Sequence, residues 1–103
     1  MKEVSYFGFV WDEEKARLNK EKHGLSFETA VHVFNDPFLC ELYDDNHSSY
    51  EERYKYIGSI VGALIVFVVA TNRNNQTRIV SARKATKKER NYYYENVKKL
   101  QIY

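Results

Sequence analysis

Residues 63–70 read ALIVFVVA, an apolar run without a single charged or polar side chain. A run of this length that is rich in β-branched residues predicts a strand, and the lack of polar alternation predicts that both of its faces are covered. Such a strand must lie inside a sheet. We therefore expect residues 63–71 to form the centre of a sheet, with the rest of the chain arranged around them.

Other segments rich in aromatic and β-branched side chains are bounded by turn-forming residues, which is typical of strands. These predicted strands are residues 6–11, 38–43, 53–60 and 77–84. Tight turns at Val61-Gly62 and at residues 72–76 join the last two to the central run. The polar stretch 44–52 is a predicted loop.

Three helices are predicted from their caps. Asp12 is a candidate N-cap for a helix that ends at Gly24, and Ser26 caps a second helix with apolar residues at helical spacing. Thr86 and Glu89 form a T-x-x-E capping box for a third. The expected order is β-α-α-β-β-β-β-α, an α+β fold in a single domain over residues 1–103.

Size and composition narrow the class of protein. The chain has 103 residues, of which 44% are hydrophobic, so it should fold as one domain with its own core. Cys40 is the one cysteine, which excludes an internal disulfide and a multi-cysteine zinc site. The longest apolar run, residues 60–70, is about half of the roughly 20 residues that span a bilayer. We expect a soluble, cytoplasmic protein with no metal, no cofactor and no membrane contact.

The formal net charge of +2 hides a strong asymmetry. Residues 1–52 hold 5 basic and 12 acidic side chains, a net charge of −7, whereas residues 53–103 hold 11 basic and 2 acidic ones, a net charge of +9. So much positive charge in one half predicts a negatively charged partner, such as a nucleic acid or an acidic protein surface.

The densest basic cluster is RKATKKER, residues 83–90, where a strand passes into a helix N-terminus. Backbone N–H groups and cations converge at such a place, which suits phosphate binding, although a solvated helix face has the same composition. Strand alternation predicts that Arg83 shares a face with Ile79 and Ser81. Arg53 and Lys55 lie in phase on a neighbouring strand, so the three cations predict one positive surface.

Other polar residues have competing interpretations. Arg73 in the predicted turn and Arg78 at the start of the last strand are further candidates, but for Arg78 we favour a charge that protects an edge strand. Lys15, Asn19 and Lys22 follow helical spacing and predict an exposed polar face of the first helix.

The three histidines also differ from one another. His32 lies opposite an apolar stripe and is expected to be solvated, while His23 ends the first helix and is either a structural C-terminal cation or a catalytic group. His47 lies in the polar loop near carboxylates and is a candidate general acid or base.

Several strings of the sequence occur together in one known family. They are FVWDEEKARLNKEKHGLSFETAVHVFNDP at 9–37, HSSYEERY at 47–54 and TRIVSARKATKKER at 77–90. In this order they resemble the BrnT family of toxins from bacterial type II toxin–antitoxin pairs. The resemblance extends over residues 9–94.

The resemblance implies a RelE-like fold, with a small, twisted, mostly antiparallel sheet. It also implies a ribonuclease that cleaves RNA without a metal and inhibits translation until a BrnA-type DNA-binding antitoxin neutralises it. A homodimer and a toxin–antitoxin heterotetramer are both open. Carried over by motif, the expected catalytic residues are Lys22, His23, Glu52, Arg53 and Arg83. The expected RNA-binding residues are Lys55, Arg73, Lys84, Lys87 and Arg90.

The expected reaction is attack of a ribose 2′-hydroxyl on the adjacent phosphate. Arg53 and Arg83 would stabilise the charge of the transition state, and Glu52, Lys22, His23 and His47 are candidates for proton transfer. Two other classes of protein have the same charge pattern. One is a non-catalytic RNA-binding module, and the other is a subunit whose basic half binds an acidic protein segment.

Overall fold

The computed structural model describes residues 2–43, 52–61 and 64–101. The strands are β1 Glu3–Tyr6, β2 Phe9–Asp12, β3 Cys40–Tyr43, β4 Arg53–Ile60, β5 Leu64–Arg73 and β6 Gln76–Lys84. The helices are α1 Glu13–His23, α2 Phe27–Ala30 and α3 Lys87–Leu100, and a 3-10 helix covers Val31–Asn35. The strands form one mixed sheet in the order β1-β2-β6-β5-β4-β3. The α+β class is confirmed.

The apolar run at the centre of the sequence is β5, which pairs with β4 on one side and with β6 on the other. Val66 and Val68 point to the face that α1, α2 and the 3-10 helix cover, which we call the α1 face. Ile65 and Phe67 point to the opposite face and pack with Tyr93 of α3, so we call it the α3 face. The predicted central strand with two covered faces is confirmed for this half of β5.

The predicted first strand, residues 6–11, is correct for residues 9–11, which belong to β2, but it is not continuous, because a tight turn at Phe7 and Gly8 separates β1 from β2. Phe7 and Gly8 both have positive φ, 47° and 87°, and Tyr6 pairs with Phe9 across them. Positive φ at both central residues is the mark of a type I′ turn, which matches the right-handed twist of the two strands. The described part of the chain therefore has one strand more than the predicted order.

The second strand of this hairpin, β2, makes the sheet mixed rather than purely antiparallel. It pairs in parallel with β6, with Phe9 opposite Thr77 and Val10 opposite Arg78. The hairpin of β1 and β2 is thereby joined through β2 to β6, the last described strand. The other predicted strands lie within two residues of their expected bounds.

The helix caps follow the sequence closely. Asp12 accepts a hydrogen bond from the Lys15 backbone at 3.0 Å, and α1 ends at Gly24.

The second predicted helix is α-helical for one turn only and continues as the 3-10 helix. That helix packs directly on β4, where a Cβ on Gly58 would stand 2.9 Å from the Cβ of Val33. Only glycine fits this crossing without displacing its neighbour.

Helix α3 starts at the predicted capping box and is fastened to the sheet through Tyr93. The Tyr93 hydroxyl donates to Asp36 Oδ2 at 2.5 Å, and the same oxygen accepts from the Ser59 backbone at 2.7 Å. Burial and this carboxylate together raise the pKa of Tyr93. Because α3 packs on Ile57, Ile65 and Phe67, it covers only one end of the α3 face.

A β-bulge at Val80 changes which side chains of β6 share a face. Val69 pairs with Ser81 but Ala70 pairs with Ile79, so Val80 is an extra residue in β6. The prediction that Ile79 is in phase with Ser81 and Arg83 is therefore wrong. Ile79 packs in the core of the α1 face, and Arg78 takes its place on the α3 face.

The side chain of Asn19 holds α1 against β6 beyond the end of β2. Its Nδ2 donates to the Ala82 carbonyl at 2.8 Å, and its Oδ1 accepts from the Ala82 N–H at 3.1 Å. Nδ2 also donates to the Leu25 carbonyl at 3.1 Å. The amide replaces a neighbouring strand at this edge, so the prediction that Asn19 lies on an exposed face is wrong.

Some predictions fall outside the described residues, namely His47 and its loop from residue 44 to 51, and the Gly62 half of the turn after β4. His32 is exposed, as predicted. Among the helices of the described ranges, none has the length and hydropathy needed to cross a membrane.

We expect Asn19→Ala to destabilise the protein by about 3 kcal/mol, because it leaves three buried backbone groups without their partners. The free energy of unfolding in urea measures this. The control is Asn91→Ala at an exposed position of α3, where we expect a change in the free energy of unfolding within about 0.5 kcal/mol. A loss at Asn19 no larger than at Asn91 would contradict the role of the amide.

Candidate functional site

Beyond the end of α3, the strand register aligns side chains in rows across β4, β5 and β6 on the α3 face. One row consists of Arg53, Thr71 and Arg78, and the next consists of Lys55, Val69 and Ser81. Side chains directly opposite each other on paired strands project to the same face. The predicted positive surface across adjacent strands is thus present, with Arg78 as an additional member.

A depression of about 440 Å³ lies at the first of these rows, and we call it the arginine basin. Among the described residues, four cationic and two acidic side chains line it, together with Ile79 and Val80. The charged residues are Lys15, Arg53, Arg73, Arg78, Glu3 and Asp12. The positive excess suits an anionic ligand.

Arg78 lies in the interior of the sheet, because β6 pairs with β2 and β5 on its two sides. Our interpretation of Arg78 as an edge-strand charge is therefore wrong. Its guanidinium forms an ion pair with Glu3 on β1. The Arg78 side chain is 21% exposed and that of Glu3 is 50% exposed, so the arginine is the more deeply held partner.

A second depression, of about 240 Å³, runs between α1 and β6, and we call it the α1 groove. Lys22 and His23 line it on the helix side and Ser81 lines it on the strand side. It shares Lys15 and Val80 with the arginine basin. The two depressions therefore adjoin, with Lys22 and His23 of the acidic half lining one and the arginines of the basic half lining the other.

Arg83 lies on the same face but outside the basin. Its guanidinium donates to both Glu89 carboxylate oxygens, at 2.8 and 2.9 Å, and its Cζ lies 4.3 Å from the centre of the Phe67 ring. Its partner Phe67 is four residues from Thr71 on β5, a distance of about 13 Å along the strand. Arg53 and Arg83, which we expected to act on one phosphoryl group, are therefore far apart.

Glu89, the partner of Arg83, is held by hydrogen bonds from a side chain and from the backbone. Burial alone would raise its pKa, but the hydrogen bonds from Arg83 and from the Thr86 backbone outweigh burial and hold the pKa of Glu89 below its ordinary value. Glu89 Oε1 accepts from the Thr86 N–H at 2.8 Å as part of the capping box. The carboxylate thus fixes both the start of α3 and the direction of Arg83.

Glu52 is exposed and turned away from the basin. Its Oε2 accepts a hydrogen bond from the Tyr54 hydroxyl at 2.8 Å, which raises the pKa of Tyr54. Tyr54 packs against the core of the α1 face, whereas its neighbour Arg53 projects to the α3 face. The structure therefore does not bring Glu52 together with Arg53, Lys22 and His23.

The remaining predicted RNA-binding residues are distributed around the site. Lys55 is half-buried in the second row, whereas Lys84 is exposed and pairs with Val66, which places it on the α1 side of β6. Lys87 and Arg90 are exposed in the first turn of α3, where Arg90 Nη1 donates to the Ala85 carbonyl at 3.0 Å. Of the five, only Arg73 lines the arginine basin.

Sequence reasoning assigned two cations of the basin to other roles. Lys15 belongs to the spacing Lys15, Asn19, Lys22 that we interpreted as a solvated face, so a signal for it was present. Arg78 was a candidate, but the edge-strand interpretation was favoured, and no residue type signals the bulge at Val80 that turns it to the α3 face.

A second depression of similar volume, among the described residues, lacks this charge bias. It lies between α1 and α2, encloses about 440 Å³, and is lined by Glu13, Glu28, Arg17 and Lys20 among its charged residues. Its charges balance, so size alone does not distinguish the arginine basin, but charge does.

Within residues 2–43, 52–61 and 64–101, no group of three or more His, Cys, Asp or Glu side chains is placed to hold a metal ion.

Fold and site together define a small α+β protein with a positively charged basin on one face of a mixed sheet. Residues 11–89 match the family described as "Ribonuclease toxin, BrnT, of type II toxin-antitoxin system". The match covers most of the chain, which therefore belongs to the BrnT family of ribonuclease toxins of type II toxin–antitoxin systems.

A solved structure has a similar fold. The crystal structure of the Brucella abortus ribonuclease toxin, BrnT, superposes with a TM-score of 0.55 and 24% sequence identity. The alignment covers 75% of this chain and 94% of the Brucella chain. A search of curated protein sequences finds no match.

We expect Glu89→Gln to lower the free energy of unfolding by about 2 kcal/mol at pH 7, since it weakens the bonds to Arg83 and Thr86. The folded-state pKa of Glu89 is depressed, so its contribution is present above the unfolded pKa of about 4.3 and is lost as the pH falls through the folded value. Urea unfolding at pH 7 and at pH 3 should show a difference between parent and variant that shrinks at the lower pH.

The matched control for this experiment is Glu95→Gln, an exposed carboxylate on the same helix that pairs with Lys98. We expect it to change stability by less than about 0.5 kcal/mol. If both variants lose the same amount, or if the Glu89 effect is independent of pH, the assigned role of Glu89 is wrong.

Proposed function

We propose that this chain is a metal-independent endoribonuclease of the mRNA interferase type, with a RelE-like arrangement of sheet and helices. Its cleavage of RNA inhibits translation and growth until an antitoxin neutralises it. Membership of the BrnT family supports the ribonuclease class. The observation that carries the proposal is that the arginine basin and the α1 groove adjoin, with Lys15 and Val80 common to both.

The proposed reaction is attack of a ribose 2′-oxygen on the adjacent phosphorus. The bond from phosphorus to the 5′-oxygen breaks, leaving a 2′,3′-cyclic phosphate and a 5′-hydroxyl. One group takes the 2′-proton and another donates a proton to the leaving oxygen. Lys22 and His23, which line the α1 groove beside the basin, are the proposed proton-transfer groups. Glu52 remains a candidate only if its carboxylate leaves Tyr54.

Arg53 is the proposed stabiliser of the phosphoryl charge, because it lines the basin. A fixed guanidinium placed where charge develops lowers the barrier without the solvent reorganisation that water requires. Four cationic side chains at the basin supply the positive charge that a metal ion supplies in other nucleases. This supports the metal-independent form of the reaction.

Arg83 has a different place in this proposal. Its guanidinium is bound by Glu89, and its backbone pairs with Phe67, about 13 Å along β5 from Thr71 of the first row. We assign it to the positioning of RNA beyond the scissile phosphate, with Lys55 between the two arginines. Lys84, Lys87 and Arg90 contribute positive charge at the periphery.

The proposed partner is a BrnA-type DNA-binding antitoxin, in keeping with the toxin–antitoxin family. A homodimer of the toxin and a toxin–antitoxin heterotetramer are both compatible with this assignment. Because RNA is the proposed substrate, the proposed location is the cytoplasm.

The test is RNA cleavage by antitoxin-free protein with EDTA present. We expect the parent to release fragments with a 2′,3′-cyclic phosphate, identified by mass spectrometry, and Arg53→Gln to cleave about 100-fold more slowly. Arg17→Gln is the control, since Arg17 is an exposed arginine paired with Glu14 and Glu21 on α1. In controlled expression, the parent and Arg17→Gln should stop growth, and Arg53→Gln should not.

Loss of the parent's activity in EDTA would exclude the metal-independent reaction. Intact RNA after prolonged incubation, together with salt-sensitive binding, would favour a non-catalytic RNA-binding module.

A second comparison tests the α1 groove. We expect Lys22→Gln to slow cleavage by about 100-fold, as removal of a proton-transfer group does. Lys20→Gln is the matched control, because Lys20 lies in the same turn of α1 but lines the depression on the other side of the helix. Equal rates for the two variants would remove Lys22 from the reaction.

A further inference from the structure

We infer that Arg78 of the arginine basin and the buried hydroxyl of Thr71, its neighbour in the first row, form a phosphate-binding subsite, and that Glu3 is a built-in competitor for it. The Glu3 carboxylate occupies the Arg78 guanidinium until a phosphate group of the RNA displaces it. The identity of the ligand as RNA rests on the proposed function. The subsite itself rests on the geometry of three strands.

The first argument is position. Thr71 on β5 lies directly between Arg53 on β4 and Arg78 on β6, so the three side chains form one row on the α3 face. The bulge at Val80 is what turns Arg78 to this face, because strict alternation from Arg83 would turn it into the core instead. Bulges often redirect a side chain next to a functional site.

The second argument is unused hydrogen-bonding capacity. Among the described residues, neither Nε of Arg78 nor Oγ1 of Thr71 has a hydrogen-bond partner, and both atoms are buried. Thr71 as a whole is 1% exposed. Buried polar groups are nearly always paired, so two unpaired donors on neighbouring strands need an explanation. The charged oxygens of a phosphate only accept hydrogen bonds, so a phosphate can accept one from Arg78 Nε and one from Thr71 Oγ1.

The third argument is the asymmetry of the ion pair. Glu3 is half-exposed on β1, a strand of four residues at the edge of the sheet, whereas Arg78 is largely covered within the sheet. An exposed carboxylate leaves such a pair for water at little cost. A phosphate in its place also meets the positive charge of Lys15, Arg53 and Arg73.

The pair of Arg83 with Glu89 shows the contrast. The Glu89 side chain is 20% exposed and is bound by the Thr86 backbone as well, so displacing it would also open the start of α3. Exchange of a carboxylate for phosphate is therefore expected at Arg78 and not at Arg83.

The test uses a short 2′-O-methyl oligoribonucleotide, which cannot be cleaved because its nucleophile is blocked. Binding is measured by fluorescence anisotropy over a range of salt concentrations. We expect Arg78→Gln to weaken binding about ten-fold and to reduce the slope of log Kd against log salt by about one. We expect Glu3→Gln to tighten binding about two- to five-fold, since it removes the competitor. Arg17→Gln should match the parent.

Opposite signs in this test exclude a purely structural role for the ion pair. Both substitutions break the same ion pair, so a purely structural role would move the two variants in the same direction. Thr71→Val adds a second readout, because it keeps the side-chain volume and removes only the unpaired hydroxyl. We expect it to weaken binding without lowering the melting temperature.

Three results would overturn the subsite: weaker binding in both ion-pair variants, binding by Arg78→Gln equal to that of the parent, or no binding by the parent at low salt. The proposed ribonuclease fails separately. If the binding pattern holds but unmodified RNA stays intact, the subsite stands and the catalytic assignment falls. If the parent cleaves unmodified RNA while Arg78→Gln, Glu3→Gln and Thr71→Val bind as the parent does, the catalytic assignment stands and the subsite falls.

Discussion

One side chain determines how the two halves of this protein meet. Strand β2 ends at Asp12, so the outer edge of β6 would be left without a partner at Ala82 in the interior of the molecule. The Asn19 carboxamide fills that edge with a donor and an acceptor, as a neighbouring strand would. Because a helix rather than a strand supplies the partner, α1 runs beside β6 and brings Lys15, Lys22 and His23 next to the sheet.

Features that depend on local chemistry were predictable from the sequence. The Thr86 capping box, the Asp12 cap and the central position of β5 follow from nearest neighbours and hydrophobic pattern, and all are present. The common face of Arg53 and Lys55 followed from strict alternation along a regular strand. Each of these inferences needs only a few consecutive residues, which is why each could be made without knowing the fold.

Features that depend on tertiary contacts were not predictable. Asn19 looks like any polar residue of a thin amphipathic helix until the edge of β6 is known, and the bulge at Val80 has no glycine to signal it. Phe7 occupies the first central position of a turn type that favours Asn or Asp there. The sequence therefore predicted one aromatic strand in place of the hairpin. Because the bulge reverses alternation, a single extra residue turns Arg78 from the core to the face of the basin, and the pairing of β6 with β2 removes the expected edge.

The parallel pairing of β2 with β6 has a consequence for when the site exists during synthesis of the chain. Residues that line the basin come from both ends of the sequence, Glu3 and Asp12 early and Arg78 late. The hydrogen-bond partner of Asn19, Ala82, lies 63 residues further along the chain. An incomplete chain on the ribosome therefore holds the acidic half alone, without the strands that carry the arginines. The basin forms only when β6 has emerged, so a truncated product lacks it altogether.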